Sequence, residues 1–140
     1  MSSQEIIDVK EIERAIARFF LHLDLGEYRE LSNMMADDGV WERQGKELRG
    51  PAMTMAAMQE RPEGRTTLNV VTNFVVDVSG PDAASASFYM VAWRHDGDTR
   101  PQGAVPMELP RSAQIFRAKL GKVKGKWRIR HMFGTPVLSR

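Results

Sequence analysis

The sequence predicts one α+β domain, a helical first part followed by an antiparallel meander of four long strands. Three observations predict it. Apolar residues recur at three- and four-residue steps as far as Met58, the pattern turns extended and β-branched after Gly64, and Gly- and Pro-containing turns divide the remainder. A chain of 140 residues fits a single domain, spanning 1–140, with a core of its own.

Each element has its own warrant. Ser2-Ser3-Gln4-Glu5 reads as a capping box, a hydroxyl followed three positions later by a carboxylate. Ile6, Val9, Ile12, Ile16, Phe19 and Leu23 then form one apolar stripe on a long first helix, which Gly26 ends. Tyr28, Leu31, Met34 and Met35 repeat the spacing on a shorter second helix that stops at Asp37-Asp38-Gly39, and Val40 to Arg43 predicts a short strand. Gly50-Pro51 opens a third helix carrying Met53, Ala56, Ala57 and Met58, closed by Pro62-Glu63-Gly64. Strands follow over Thr66 to Val78, Ala83 to His95, Ser112 to Leu120 and Lys126 to Phe133, and Gly134-Thr135-Pro136 ends the last.

Along the first long strand, simple alternation puts Leu68, Val70, Thr72, Phe74, Val76 and Val78 on one face and Asn69, Val71, Asn73, Val75 and Asp77 on the other. The second set is too apolar for a fully solvated face. Three short helices cover one side of a four-stranded sheet, so the expectation is a homodimer through the sheet.

Composition excludes several classes. There are no cysteines, which removes disulfides, thiolate metal sites and a cysteine nucleophile. The net charge is +2, from 20 Lys and Arg against 18 Asp and Glu. The basic groups from Arg117 to Arg130 alternate along strands and crowd a turn, the pattern of a solvated hairpin tip and not of a nucleic-acid footprint. No apolar run approaches the ~18 residues of a membrane span. Met1-Ser2-Ser3-Gln4-Glu5 lacks the basic and apolar segments of a signal peptide, so the expected location is cytoplasmic. No His-x-x-x-His or acidic cluster offers convergent metal ligands, no glycine-rich loop suits phosphate, and Gly-x-Ser-x-Gly is absent.

The order of elements carries a further signal. Leu23-Asp24-Leu25-Gly26-Glu27-Tyr28 at the end of the first helix, Gly50-Pro51 before the third, Val71-Thr72-Asn73 in the first long strand and Gly125-Lys126-Trp127-Arg128-Ile129 in the last resemble the SnoaL-like branch of the nuclear transport factor 2-like superfamily. The resemblance extends from about Ile6 to Pro136. It implies a cone-shaped barrel of curved antiparallel sheet wrapped around three N-terminal helices, commonly dimeric, with a pocket between sheet and helices. Relatives include scytalone dehydratase, ketosteroid isomerase and polyketide cyclases, alongside non-catalytic members, so the fold leaves the function open. Asp24 matches the aspartate used by dehydratase and cyclase relatives. Asn69 stands where dehydratase-like members carry a histidine. Ser112-Ala113-Gln114 is similar to a Ser-x-Asn pair of the dehydratase pocket.

These residues suggest a cofactor-independent acid–base enzyme of dehydratase, isomerase or cyclase type, acting on a hydrophobic cyclic or aromatic small molecule. Asp24, set among Phe19, Phe20, Leu21 and Leu23, is the candidate proton-moving group, because burial raises a carboxyl's proton affinity. His95, which shares a strand face with Tyr89, Val91 and Trp93, is the candidate partner if that face lines the pocket. His131 is assigned the face of Trp127 and Ile129. Asn69, Tyr89, Ser112 and Gln114 are candidates to polarise a carbonyl. Trp41, Met58, Val71 and Asn73 complete the expected substrate-binding wall. The competing expectation is a non-catalytic ligand-binding or accessory domain, which the amide at position 69 favours because an amide cannot carry a proton.

Overall fold

A computed structural model describes all 140 residues. Helix α1 runs Ser3–Leu25, α2 Tyr28–Ser32 and α3 Gly50–Gln59. Strands are β1 Met35–Arg43, β2 Lys46–Arg49, β3 Arg65–Gly80, β4 Ala83–Asp96, β5 Ser112–Val123 and β6 Lys126–Ser139. One six-stranded, curled and unclosed sheet results, in the order β2-β1-β6-β5-β4-β3.

Helix α1 begins where its cap predicts. The Ser2 hydroxyl accepts the Glu5 N–H at 3.1 Å, and Gly26, at φ 74°, turns the chain back at the other end. The buried stripe is Ile12, Ile16, Phe19, Phe20 and Leu23, with Ile6 left exposed. Phe20 meets Phe88 and Phe116 from the sheet at ring-centre distances of 6.0 and 5.6 Å, and Phe88 stacks on Phe116 at 5.2 Å. Each such side chain contributes roughly 1.5–3 kcal/mol by leaving water, so this aromatic contact holds the helix inside the curl of the sheet.

Five features depart from the sequence expectation. The second helix ends at Ser32, and Met35, assigned to it by periodicity, starts β1. Asp37-Asp38-Gly39, which reads as a turn, is an irregular stretch of β1 between the pairs Met35↔Ile129 and Val40↔His131. A Cβ on Gly39 would collide with the Ile129 carbonyl, so the missing side chain lets the strands approach. β1 pairs with β6 in parallel, which makes the sheet mixed and not purely antiparallel. Finally, β2 follows β1 through Gln44 and Gly45, both at positive φ, the backbone of a two-residue hairpin loop, and β6 continues past Pro136 to Ser139.

The face assignment of β3 also changes. Pairing with β4 slips between Thr72 and Val75, where Asn73 adopts φ 57°. One extra residue exchanges the two faces of a strand. The inward set is therefore Thr67, Asn69 and Val71 before the bulge and Phe74, Val76 and Val78 after it, with Leu68, Val70 and Val75 exposed outside. On β4 the inward residues are Ala84, Ala86, Phe88 and Met90, so Tyr89 lies on the outer face. A further slip between Lys119 and Leu120 separates His131 from the face of the buried Trp127 and Ile129.

The end of the sheet opposite α1's C-terminus is closed by a polar cluster. Buried Asp8 accepts from Lys122 at 3.0 Å and from Trp127 Nε1 and Gln4 at 3.2 Å. Lys122 thus belongs to an internal ion pair, not to the solvated tip assigned to the basic run. Burial pushes the Asp8 carboxyl up, but the hydrogen bonds from Lys122, Gln4 and Trp127 prevail and hold it below its ordinary value of 3.8. Its stabilising contribution is then complete above 3.8 and is lost as pH falls through the lowered value. Asp8→Ala should lower the thermal midpoint and reduce the acid-sensitive part of the stability, as followed by circular dichroism on acidification. A variant as stable and as acid-sensitive as the parent would contradict this.

Candidate functional site: an arginine-lined cavity

Antiparallel register gathers the site. It brings together the start of β3, the end of β4, the start of β5 and the latter part of β6 through the pairs Asn69↔Ala92, Ala92↔Ser112 and Phe116↔Gly134. The C-terminus of α1 reaches the same end. There the structure leaves a cavity of about 230 Å³, below the roughly 300–1,000 Å³ typical of ligand pockets. Phe20, Trp41, Met90 and Phe116 supply its apolar wall. Thr67, Asn69, Ser112 and Gln114 supply polar groups, and the Gln114 amide donates to the Ser112 hydroxyl at 3.2 Å.

Asp24 sits directly behind this wall. Thr67 Oγ1 donates to Asp24 Oδ1 at 2.9 Å, the Asn69 side-chain amide donates to the same oxygen at 2.6 Å, and the Asn69 backbone N–H donates to Oδ2 at 2.8 Å. Burial raises the Asp24 carboxyl above its ordinary value of 3.8; the donors at Asn69 and Thr67 and the charge of Arg61 oppose the shift without cancelling it. Thr67 in turn accepts from Arg61 at 3.1 Å, and Arg61 also donates to the Leu23 carbonyl and the Tyr28 hydroxyl, each at 3.1 Å.

The structure brings Asp24, Asn69, Trp41, Ser112 and Gln114 to this one region. The other candidates lie elsewhere. His95 is not among the cavity-lining residues and faces Glu108 at 3.7 Å. Thr67 pairs with Arg94 on the inner face, and His95, on the other parity, turns to Glu108, although Trp93 of that parity still borders the cavity. Asn73 is exposed at the bulge and accepts from its neighbour Thr72. Tyr89 is exposed on the outer face. Met58 is fully buried in the core, and Val71 packs against that core without reaching the cavity. His131 binds Glu42 across β1 and β6, on the outer side.

Sequence reasoning missed Thr67 and, above all, five arginines. Arg43, Arg61, Arg65, Arg94 and Arg111 all line the cavity, against one acid, Glu42. A signal existed for Arg94, which continues the inward parity of Ala84, Ala86, Phe88, Met90 and Ala92. Arg65 and Arg94 share the carboxylate of Asp96, at 2.9 and 2.8 Å. The Arg65 hydrogen bond is the main reason the Asp96 carboxyl is held below its ordinary value. Burial, with the neighbouring charges of Arg61, Arg65 and Arg94, brings Arg43 down to about 10, still protonated at neutral pH. Its guanidinium lies 5.4 Å from the Trp41 ring centre.

Comparison with known proteins gives the family and the fold. Residues 4–132 match the family model for the SnoaL-like domain. The chain belongs to that family. This SnoaL-like chain also shares its fold with solved structures that are each under 25% identical to it. Rv3472, a function-unknown protein from Mycobacterium tuberculosis, is 17% identical with a TM-score of 0.80, over 95% of this chain and 73% of that one. A putative scytalone dehydratase from Novosphingobium aromaticivorans is 16% identical with a TM-score of 0.80, over 100% and 91%. A Catenulispora acidiphila protein in complex with S-DNPA is 20% identical with a TM-score of 0.71, over 91% of each chain. No curated protein matches the chain by sequence. No helix of this SnoaL-like domain is long and apolar enough to cross a membrane.

The raised Asp24 carboxyl makes a pH prediction. Between 3.8 and its higher folded value the folded state binds more protons than the unfolded chain, so this group's share of stability falls as pH rises through that window. Carbon-13 NMR of the side-chain carboxyl should show Asp24 titrating above 3.8; a midpoint at or below that value would contradict the assignment.

Proposed function

We propose that the domain is a cofactor-independent acid–base enzyme, of dehydratase, isomerase or cyclase type, working on a ring-containing small molecule in this cavity. One observation carries the reading. Asp24 has an elevated proton affinity and is joined to the cavity by the Thr67 hydroxyl, whose oxygen lies 2.9 Å from it on the lining wall. In the proposed step Thr67 Oγ takes a proton from the substrate while passing its own to Asp24, and the return path delivers that proton to a leaving hydroxyl or to a second carbon. Asn69, Ser112 and Gln114 would stabilise charge developing on a substrate oxygen. The likeness to the Novosphingobium putative scytalone dehydratase and the ligand complex of the Catenulispora protein support a small-molecule role.

Assaying cyclic hydroxyketones for water loss or double-bond migration tests this. Asp24→Asn and Thr67→Val should each lower kcat by about 100-fold or more with folding intact. A specific observation favours a second reading, ligand binding without turnover: both Asp24 oxygens already accept internal donors. Unchanged turnover in both variants, or ligand binding with no turnover in the parent, would select it.

A homodimer through the outer face of the sheet is part of the proposal. Leu68 and Tyr89 are 58% and 48% exposed on that face, beside Val70 and Val75. Such a cluster of apolar groups is unusual on a monomer surface. Sedimentation should give a dimer, and Val70→Asp should shift it to monomer without lowering helix content. A monomeric parent would end this part of the reading.

A further inference from the structure

The charge around the cavity is out of balance. Asp96 answers Arg65 and Arg94 together, and Glu42 is engaged by His131. Arg43 and Arg111 have no carboxylate within 4.0 Å, and Arg61 donates only to neutral acceptors, with Asp24 reached across the Thr67 hydroxyl. The Arg61 Nε is buried with no hydrogen-bond partner at all. Arg111 is exposed, whereas Arg43 and Arg61 are half-buried, and the side chains of Arg65 and Arg94 are only 16% and 25% exposed. Burying like charges together is unfavourable unless an opposite charge joins them. The lowered proton affinity of Arg43 comes first from burial and then from the neighbouring charges of Arg61, Arg65 and Arg94.

A planar guanidinium pairs best with a planar two-oxygen anion, through two parallel N–H donors. The remaining wall, formed by Phe20, Trp41, Met90 and Phe116, suits an aromatic or alicyclic body. We propose that the cavity takes a ring compound bearing a carboxylate, with the carboxylate seated among Arg43, Arg61 and Arg94 and the ring against Trp41 and Phe116. The inference rests on the reading above that this cavity is the ligand site. It replaces the purely hydrophobic substrate expected from sequence with an amphipathic anion.

Titration calorimetry of the protein with naphthoate and its neutral analogue naphthamide tests the charge preference. Naphthoate should bind at least about tenfold more tightly, and its affinity should fall as salt rises. Arg43→Met removes a charge without breaking any hydrogen bond in the structure; it should weaken naphthoate about tenfold and leave naphthamide unchanged. Asp96→Asn releases Arg65 and Arg94 and should tighten naphthoate. Equal affinity for the two compounds, no naphthoate binding at millimolar concentration, or equal weakening of both by Arg43→Met would overturn the proposal. The Asp24→Asn protein should keep the charge preference. Loss of turnover with the preference kept upholds both readings, and unchanged turnover with the preference kept removes only the acid–base mechanism.

Discussion

Three hydrogen bonds converge on the Asp24 carboxylate, two of them from Asn69 and one from Thr67. They tie the last turn of α1 to the first residues of β3, elements separated by more than forty positions in the chain. The aromatic contact between Phe20 and the sheet holds the same helix one turn earlier. Between these two fixings the helix closes the cavity's inner side, and the cavity exists because nothing fills the space beyond them. The carboxylate is therefore a structural joint and the candidate reactive group at once. Those roles are compatible, because a base held by several partners is also held in one geometry.

The two ends of the domain handle their buried carboxylates differently. At Asp8 a lysine and two neutral donors outweigh burial, and the group remains an anion inside a closed cluster. At Asp24 the donors are all neutral and burial prevails, so the proton affinity rises. The closed end has its acid matched by a cation, whereas the open end carries more arginine than its own acids neutralise. A fold that needed only stability would have little reason to leave Arg43 and the Arg61 Nε without anionic partners at the mouth of an aromatic hollow.

Much of the architecture was readable in one dimension. The cap at Ser2, the stripe through Phe19 and Leu23, the glycine stop at Gly26 and the turns between the four long strands are local signals, and local backbone chemistry decides them. Asp24, Asn69, Ser112 and Gln114 were legible as polar groups at family positions, and they meet at one end of the sheet. Asn73, Tyr89 and His95 were misplaced because their assignment assumed unbroken alternation along β3 or a guessed inner face on β4. A single residue at positive φ was enough to invert the first assumption.

By itself, then, the order of residues determined the fold class, the starts of the long elements and the carboxylate worth watching, since each follows from spacing within a few turns or one strand. Only the tertiary structure decided that β1 joins β6 in parallel, that β3 changes faces at Asn73, and that Arg43, Arg61, Arg65, Arg94 and Arg111 converge. Those five arginines are scattered over sixty-nine positions and look like ordinary surface charge in the linear chain. Their meaning depends on strand register and sheet curvature, which are set by contacts between distant segments and leave no local mark on any one of them.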